Sequence, residues 1–527
     1  MPTLNANNIT YQLDNGHVLF DNISLTLSKR RVGLVGRNGV GKSLLASILA
    51  GQTAPTKGTV STANSLAYFH QQSEVLDDDT YTIAHFLDSF DVLNAIECIE
   101  KGDCSPLLFD LVGDAWDLKN QLSKQLKDIG LPDDPFFPCK QLSGGQFTKL
   151  RLWKTFNSNA ALLILDEPSN HLDSDSKQWL LTHIRQYNGH VLLISHDRIL
   201  LNNMEEIWAL SSIGMKIYGG NFDNYLDQLN IEKLATDRQL TAVIKQKRNI
   251  EQQSQKSIEK AARRASQGNK LRHSGSQAKV LLDKKKDSAT ASAAGRIKNE
   301  QRRQNQINKQ EQDLKGTQEQ NTLQNIVFTG PQSKANRVIS LIEGVLQRGS
   351  QVPITLFINA NDKVHLKGRN GVGKSTLLKT IIKECTLKSG ELTTNTPLFY
   401  VDQHFSLVQP NLSVLDNIVI QCTNLSVVKA RTLLAGISIR NDKVFQNAHT
   451  LSGGEKMKVA MLIAANQPTL PMLLLDEPDN HLDIDAKSVL ANALNQYQGG
   501  LMLVTHDEGF SIECNLTKTI ILEHEQL

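Results

Sequence analysis

Four short motifs occur twice, in the same order, along this 527-residue chain, and that duplication constrains the fold more than any other feature. Gly36-Arg37-Asn38-Gly39-Val40-Gly41-Lys42-Ser43 returns as Gly368-Arg369-Asn370-Gly371-Val372-Gly373-Lys374-Ser375. Leu142-Ser143-Gly144-Gly145-Gln146 returns as Leu451-Ser452-Gly453-Gly454-Glu455, and Leu165-Asp166-Glu167-Pro168 as Leu475-Asp476-Glu477-Pro478. Ser195-His196-Asp197 returns as Thr505-His506-Asp507. A single G-x-x-x-x-G-K-[ST] match carries some risk of coincidence, whereas four motifs in register twice mark a duplicated domain. The intervals agree as well: Lys42 to Gln71 and Lys374 to Gln403 both span 29 residues, as do Glu167 to His196 and Glu477 to His506. One interval differs. Gln71 to Leu142 is 71 residues and Gln403 to Leu451 is 48, so the first half carries 23 extra residues there.

Short apolar runs at 161–165, 191–194, 471–475 and 501–504 have no polar face. That is how a parallel strand covered on both sides reads. Strands at 31–35 and 363–366 lead into the two glycine-rich loops, and helices start at 44–49 and 377–382. The predicted fold is α/β: two P-loop cores, each with a helical subdomain inserted before its Leu-Ser-Gly-Gly motif. The expected domains are 1–229, 230–321 and 322–527, the outer two being the repeats.

The middle segment is different in kind. Net charge is only +3, but residues 232–315 hold 21 Lys and Arg against 9 Asp and Glu, leaving 36 against 45 for the rest of the chain. Two helical arms are expected, at about 224–262 and about 296–322, because the segment is rich in Lys, Arg, Gln and Ala and free of proline. Gly268, Ser274-Gly275-Ser276 and Asp287-Ser288-Ala289-Thr290 break the pattern between them. A helical hairpin with a basic tip at about 263–286 follows, and such a charge asymmetry suits a polyanionic partner.

Other classes are disfavoured. No apolar run approaches the roughly 18 residues of a membrane span, and the polar first ten residues carry no signal or transit peptide. The six cysteines, Cys98, Cys104, Cys139, Cys385, Cys422 and Cys514, form no C-x-x-C pair and read as reduced thiols of a cytoplasmic protein.

The duplicated motifs have a common chemistry. The glycines Gly36, Gly39 and Gly41 let backbone N–H groups wrap a phosphate chain, and the following helix N-terminus favours anions. Lys42 can reach the β- and γ-phosphates, and Ser43 can place its hydroxyl on Mg²⁺. Gly368, Asn370, Gly371, Gly373, Lys374, Ser375 and Thr376 repeat the set, with Asn370 in the place of Asn38. Asp166 and Asp476, at strand ends, are candidates to hold Mg²⁺ with Gln71 and Gln403. Glu167 and Glu477 point to an attacking water. An ordinary glutamate, with a pKa near 4.3, is a weak base, so positioning that water is expected to matter more than taking its proton. His196 and His506 end the next strand, where they can bond the γ-phosphate. Ser143, Gly144 and Gly145, like Ser452, Gly453 and Gly454, open a helix with small residues that expose N–H groups to an anion.

The Leu-Ser-Gly-Gly motif resembles the signature of the ATP-binding-cassette superfamily. That resemblance implies two cassettes docked head to tail in one chain, with ATP between them and hydrolysis releasing them. Ser143 to Gln146 would complete the site at Lys374, and Ser452 to Glu455 the site at Lys42. Pro168-Ser169-Asn170-His171-Leu172-Asp173, Pro478-Asp479-Asn480-His481-Leu482-Asp483, Tyr218-Gly219-Gly220-Asn221-Phe222 and the charged connector resemble the ABC-F family of translation factors more narrowly. It implies a monomeric ATPase that binds the ribosome, its connector 230–321 reaching rRNA and the tRNA of the peptidyl site. Arg263, Arg264, Lys270, Arg272, Lys279, Lys284, Lys285 and Lys286 are the candidate contacts. A role in protecting ribosomes from antibiotics stays open, and the extra residues imply a short arm or none. Tyr11, 25 residues before Gly36, stands where a cassette stacks an aromatic ring on adenine; 25 before Gly368 stands Glu343. Two other readings are a twin ATPase subunit of a membrane importer and a DNA-repair ATPase, the latter disfavoured by the lack of zinc-binding cysteines.

Overall fold

The computed structural model describes residues 4–14, 16–62, 65–70, 80–103, 105–170, 172–211, 213–273, 302–312, 337–437, 439–468, 470–480 and 482–523. They form two compact units, one of 1–222 with 324–527 and one of 223–323.

The first cassette has two sheets. Strands β1 (Leu4–Gln12), β2 (Val18–Leu27) and β4 (Lys57–Thr62) make a small antiparallel sheet, ordered β2-β1-β4. The larger sheet holds β3 (Arg31–Gly36), β5 (Leu66–Phe69), β6 (Leu162–Asp166), β7 (His190–Ile194), β8 (Glu206–Ser211) and β9 (Gly214–Gly219) in the order β5-β6-β7-β3-β8-β9. Its first five strands are parallel, and β6 is buried along its whole length. That is why 161–165 shows no polar alternation in the sequence. Helix α1 (Lys42–Leu49) starts at the end of the glycine-rich loop. The inserted subdomain carries α2 (Ile83–Phe86), α3 (Phe90–Glu100), α4 (Pro106–Val112) and α5 (Leu118–Asp128), and α6 (Gly144–Phe156) returns the chain to the sheet. Helices α7 (Ser174–Gln186) and α8 (Arg198–Leu201) follow β6 and β7.

The second unit contains α9 (Phe222–His273), a single helix of 52 residues, and α10 (302–312). Gly268, read above as a breaker, lies inside α9; one glycine costs only about 1 kcal/mol in a helix interior, which neighbouring turns of good formers offset. Lys247 Nζ donates to Glu311 Oε2 at 2.7 Å, and Leu240 and Ile307 are buried, so the two arms pack as a helical hairpin. Residues 274–301, and with them most of the expected tip, lie outside the described residues.

The second cassette repeats the plan. Strands β10 (Arg337–Leu346), β11 (Ile354–Asn359) and β13 (Leu387–Thr394) form the small sheet. The parallel sheet runs β14-β15-β16-β12-β17, from β12 (Lys363–Lys367), β14 (Leu398–Val401), β15 (Met472–Asp476), β16 (Leu501–Val504) and β17 (Lys518–Ile521). Helix α11 (Lys374–Ile381) follows the loop, α12 (Val414–Gln421) and α13 (Val427–Gly436) form a smaller inserted subdomain, and α14 (Gly453–Ala465), α15 (Ile484–Gln496) and α16 (Glu508–Glu513) complete the set. Four helices in one insert against two in the other account for the unequal spacing. Each parallel sheet packs its apolar side chains into a dry core against the small sheet. About 25 cal/mol per Å² of apolar surface removed from water holds these layers together.

Candidate nucleotide-binding sites

Each site starts at a strand end. In the first loop Gly41 has φ 97°, a left-handed conformation that glycine adopts without strain. A side chain there would collide with Leu19, and one at Gly36 with the Leu210 carbonyl. Lys42 Nζ donates to the Gly36 carbonyl at 2.7 Å and the Arg37 carbonyl at 3.2 Å. Lys374 repeats this with the carbonyls of Gly368 and Arg369 at 2.9 and 3.1 Å. Burial lowers the pKa of both lysines, against the pull of Glu167 on one and Glu477 on the other.

Asp166 and Asp476 are the last residues of β6 and β15. The chain turns sharply right after each. Glu167 has φ 48° and Glu477 φ 49°, uncommon values for a residue with a side chain, and their N–H groups donate to the carbonyls of Ile194 and Val504. The turn separates adjacent carboxylates, so aspartate and glutamate can face different groups. Burial raises both glutamates. Glu167 is pushed up to about 7 by loss of water, with Lys42 pulling the other way. Burial thus makes both carboxylates more basic than an ordinary exposed glutamate.

His196 and His506 lie beside these glutamates. His196 Nε2 is 3.2 Å from Asn38 Oδ1 and 3.4 Å from Glu167 Oε1, and His506 Nε2 is 3.6 Å from Glu477 Oε1. Burial, reinforced by the neighbouring lysines, lowers both imidazoles, His196 well below its usual 6.5 and His506 to about 3. Both are neutral at pH 7, so neither contact is an ion pair. Each ring keeps a buried nitrogen without a hydrogen bond, His196 Nδ1 and His506 Nε2.

Ser43 lies beside Asp166, and Ser375 beside Asp476, each serine holding its partner's pKa down against burial. Asp166 Oδ1 is buried with no partner. A hydroxyl, a carboxylate and an unmet buried oxygen at a phosphate-shaped loop fit Mg²⁺, which takes few protein ligands and completes its shell with phosphate and water. Among the described residues no cluster of three or more His, Cys, Asp or Glu could hold a metal by itself. Gln71 lies outside the described residues, and Gln403 is half-buried just after β14.

Both Leu-Ser-Gly-Gly motifs open helices. Ser143 Oγ accepts the Gln146 N–H at 3.2 Å while Gln146 Oε1 accepts the Ser143 N–H at 2.9 Å; Ser452 and Glu455 form the same reciprocal cap. What the sequence could not supply is their placement. A cavity of about 490 Å³ is lined by Asn38, Gly39, Gly41, Lys42 and Ser43 of the first cassette and by Ser452 and Gly453 of the second. Asp166, Glu167 and His196 line it too. The Asn38 N–H donates to Asp483 Oδ2 at 3.0 Å, and Asp173 accepts from the backbone of Asn370. Ion pairs Arg37–Asp485 at 3.1 Å and Arg369–Asp175 at 3.0 Å flank these contacts. The seam is head to tail.

The family model described as ABC transporter matches residues 20–170 and 352–480. The chain belongs to the ABC-F family of ATP-binding-cassette proteins. It is 30% identical to the putative ATP-binding protein YdiF of Bacillus subtilis, over 96% of this chain and 77% of that protein. It is 28% identical to the energy-dependent translational throttle protein EttA of Mycobacterium tuberculosis, over 94% of this chain and 87% of the relative. The archaeal ribosome recycling factor aABCE1 shares the fold with a TM-score of 0.53 at 17% identity, over 98% of this chain and 87% of that one. ABC cassettes bind and hydrolyse ATP, so the chain is an ATPase.

Within this ABC-F chain, Tyr11 is half-buried on β1, its ring 6.2 Å from Phe20. The second-cassette equivalent is not Glu343. Ala6 pairs with Leu25 as Leu341 pairs with Leu356, and Asn8 (φ 51°) matches Glu343 (φ 49°). Three residues further on, Tyr11 matches Leu346, which is fully buried. The connection between β10 and β11 differs in length, so counting back from Gly368 loses register. Gly144, Gly145 and Thr376 lie in the first turns of α6 and α11 as expected, and Gly454 packs closely on Ala486.

The sequence reading gave no role to three pairs. Tyr68 Oη donates to the Ser43 carbonyl at 3.4 Å, and Tyr400 Oη donates to Asp476 Oδ2 at 3.2 Å. Asp173 and Asp483 join opposite cassettes, and Lys177 and Lys487 lie at the seam. All three recur at matched spacing: each tyrosine is three residues before its glutamine, and each lysine four after its aspartate. That repetition was the available signal.

Proposed function

We propose that this protein is a cytoplasmic, monomeric ATPase that binds the ribosome when ATP closes its two cassettes, and leaves it after hydrolysis. The observation that carries the reading is the cavity shared by Lys42 and by Ser452 and Gly453, since only a paired arrangement gives it both walls. Nucleotide would sit with its phosphates on Gly36 to Ser43 and on the opposing helix N-terminus of α14, and a second one on Gly368 to Thr376 facing Ser143 to Gly145. Mg²⁺ would be held by Ser43 and Asp166, or Ser375 and Asp476, with Gln71 and Gln403 nearby; it supplies charge neutralisation on the phosphate oxygens. Glu167 and Glu477 orient the water and accept its proton, and neutral His196 and His506 offer an N–H to the γ-phosphate.

The partner reading rests on the basic segment 230–321 and on EttA, a translational throttle protein by name. Exposed cations on a helical hairpin suit RNA phosphates. Arg263 is exposed on α9; Arg264, Lys270 and Arg272 follow on the same helix, and Lys279, Lys284, Lys285 and Lys286 lie outside the described residues. Among the described residues no helix is long and apolar enough to cross a membrane. Ribosome protection from antibiotics is one form this activity can take.

The test is the double variant Glu167→Gln/Glu477→Gln, sedimented with ribosomes in ATP. It should stay bound where the unaltered protein releases, and with about six phosphate contacts its binding should fall roughly a thousandfold between 50 and 200 mM salt. Free ribosomes, with ATP binding to the variant intact, would refute the reading.

A further inference from the structure

The seam between the cassettes buries a cluster of charges outside the residues assigned above to nucleotide and Mg²⁺. Lys177 is in the first turn of α7 and Lys487 in the first turn of α15, with side chains 18% and 17% exposed. An ammonium taken out of water costs several kcal/mol unless carboxylates and carbonyls replace its hydration. Both have such partners. Lys177 Nζ lies 3.0 Å from Asp197 Oδ2 in its own cassette and donates to the carbonyl of His506 in the other at 3.2 Å. Lys487 Nζ lies 2.7 Å from Asp507 Oδ2. Burial alone would lower the Lys487 pKa, but Asp507 and Asp479 overcome this and hold it raised.

The partners are not arbitrary. Asp197 follows His196 and caps α8, its Oδ1 accepting from the Ile199 and Leu200 N–H groups at 2.9 and 3.3 Å. Asp507 follows His506 and caps α16. Each lysine is also tied to the far phosphate loop through its own helix. Asp173, four residues before Lys177, caps α7 and accepts from Asn370; Asp483, four before Lys487, caps α15 and accepts from Asn38. Lys177 thus touches the histidine turn of the first site and the histidine of the second, on a helix whose start holds the second phosphate loop. Both lysines line the cavity at Lys42.

We infer that Lys177 and Lys487 are positioning residues that couple the two ATP sites, so that seam opening at one disturbs the histidine turn of the other. Separation of the cassettes withdraws the His506 carbonyl from Lys177, so this contact exists only while the seam is closed and both sites share its loss. The inference rests on both sites taking nucleotide.

Coupling is measurable in the full chain as the effect of one site's loss on the other. With Lys177 intact, Glu477→Gln should cut total turnover by about tenfold or more, beyond its own share. In the Lys177→Met chain the same change should remove only the second site's own share of the turnover, and Lys177→Arg, which can keep both contacts, should restore the larger loss. An equal effect of Glu477→Gln in the intact and Lys177→Met chains would overturn the bridge. If Lys177→Met does not fold, Lys487→Met with Glu167→Gln is read by the same criterion. A nucleotide titration of Glu167→Gln/Glu477→Gln separates the two ideas. Two ATP per chain support the paired sites on which the bridge stands; one per chain would overturn both.

Discussion

The two cassettes carry the same motifs, yet the sites they build are not equivalent. At the first, Ser169 and Ser195 face each other at 3.4 Å, a small neutral pair. At the second those positions are Asp479 and Thr505, the threonine hydroxyl donating to Asp479 Oδ2 at 2.9 Å while Asp479 Oδ1 is buried without a partner. Glu167 is almost sealed; Glu477 is twice as exposed and accepts a bond from Asn480 Nδ2 at 2.5 Å. Where the first cassette has the half-buried Tyr11, the second has the buried Leu346. Duplication preserved the phosphate chemistry and let the surroundings drift, so the sites are expected to differ in rate, base recognition and pH response.

Replacing each glutamate separately is the sharpest way to break this comparison. Glu167→Gln should silence the Lys42 site by about 10²–10⁴-fold and Glu477→Gln the Lys374 site by a similar factor, measured by single-turnover hydrolysis. Identical residual rates in the two variants would remove the asymmetry.

The pH response should follow the next largest effect. Glu167 must be ionised to accept a proton, and burial holds it at about 7. In the Glu477→Gln chain, kcat/KM should therefore fall about tenfold per pH unit below 7 and level off above it. In the Glu167→Gln chain the limb belongs to Glu477 and should lie at lower pH, because that carboxylate is less buried and carries a hydrogen bond.

Base recognition gives a smaller effect. Loss of ring stacking in Tyr11→Ala should weaken ATP binding at the first site by roughly tenfold, about 1–1.5 kcal/mol, in a nucleotide titration. Leu346→Ala should leave nucleotide affinity unchanged at the second site and cost about 2–5 kcal/mol of stability as a core truncation.

The smallest expected effect is at Asp479. Burial raises its pKa above the ordinary 3.8, with Lys487 pulling the other way, so the folded chain holds this proton more tightly than the unfolded chain. Stability then falls as pH rises from the unfolded value through the folded one. Asp479→Ser, which copies the first cassette, should raise the melting temperature by about 2–4 °C at neutral pH, and should lose that advantage in acid.

Much of this was legible before any coordinates. The strand-ending aspartates and helix-opening serines came directly from motif and periodicity, since a strand end and a capping box depend on residues within one turn of each other. The failures share a cause. Counting back from Gly368 gave Glu343 in place of Leu346 because a loop changed length between two strands whose register only pairing reveals. Gly268 suggested a break, but a long helix absorbed it. Glu167 was expected to be an ordinary acid, because burial cannot be read from the residue alone.

What the sequence determined by itself was the pair of folds and their chemistry: two phosphate loops, two carboxylate strand ends, two histidine turns and a basic connector. The tertiary structure decided how the halves face each other. The bond from Asn38 to Asp483 joins residues 445 positions apart, and Lys177 reaches His506 across 329. No local propensity encodes such contacts. They exist because two independently specified surfaces dock, bury their polar groups together, and satisfy across the seam what neither can satisfy within its own cassette.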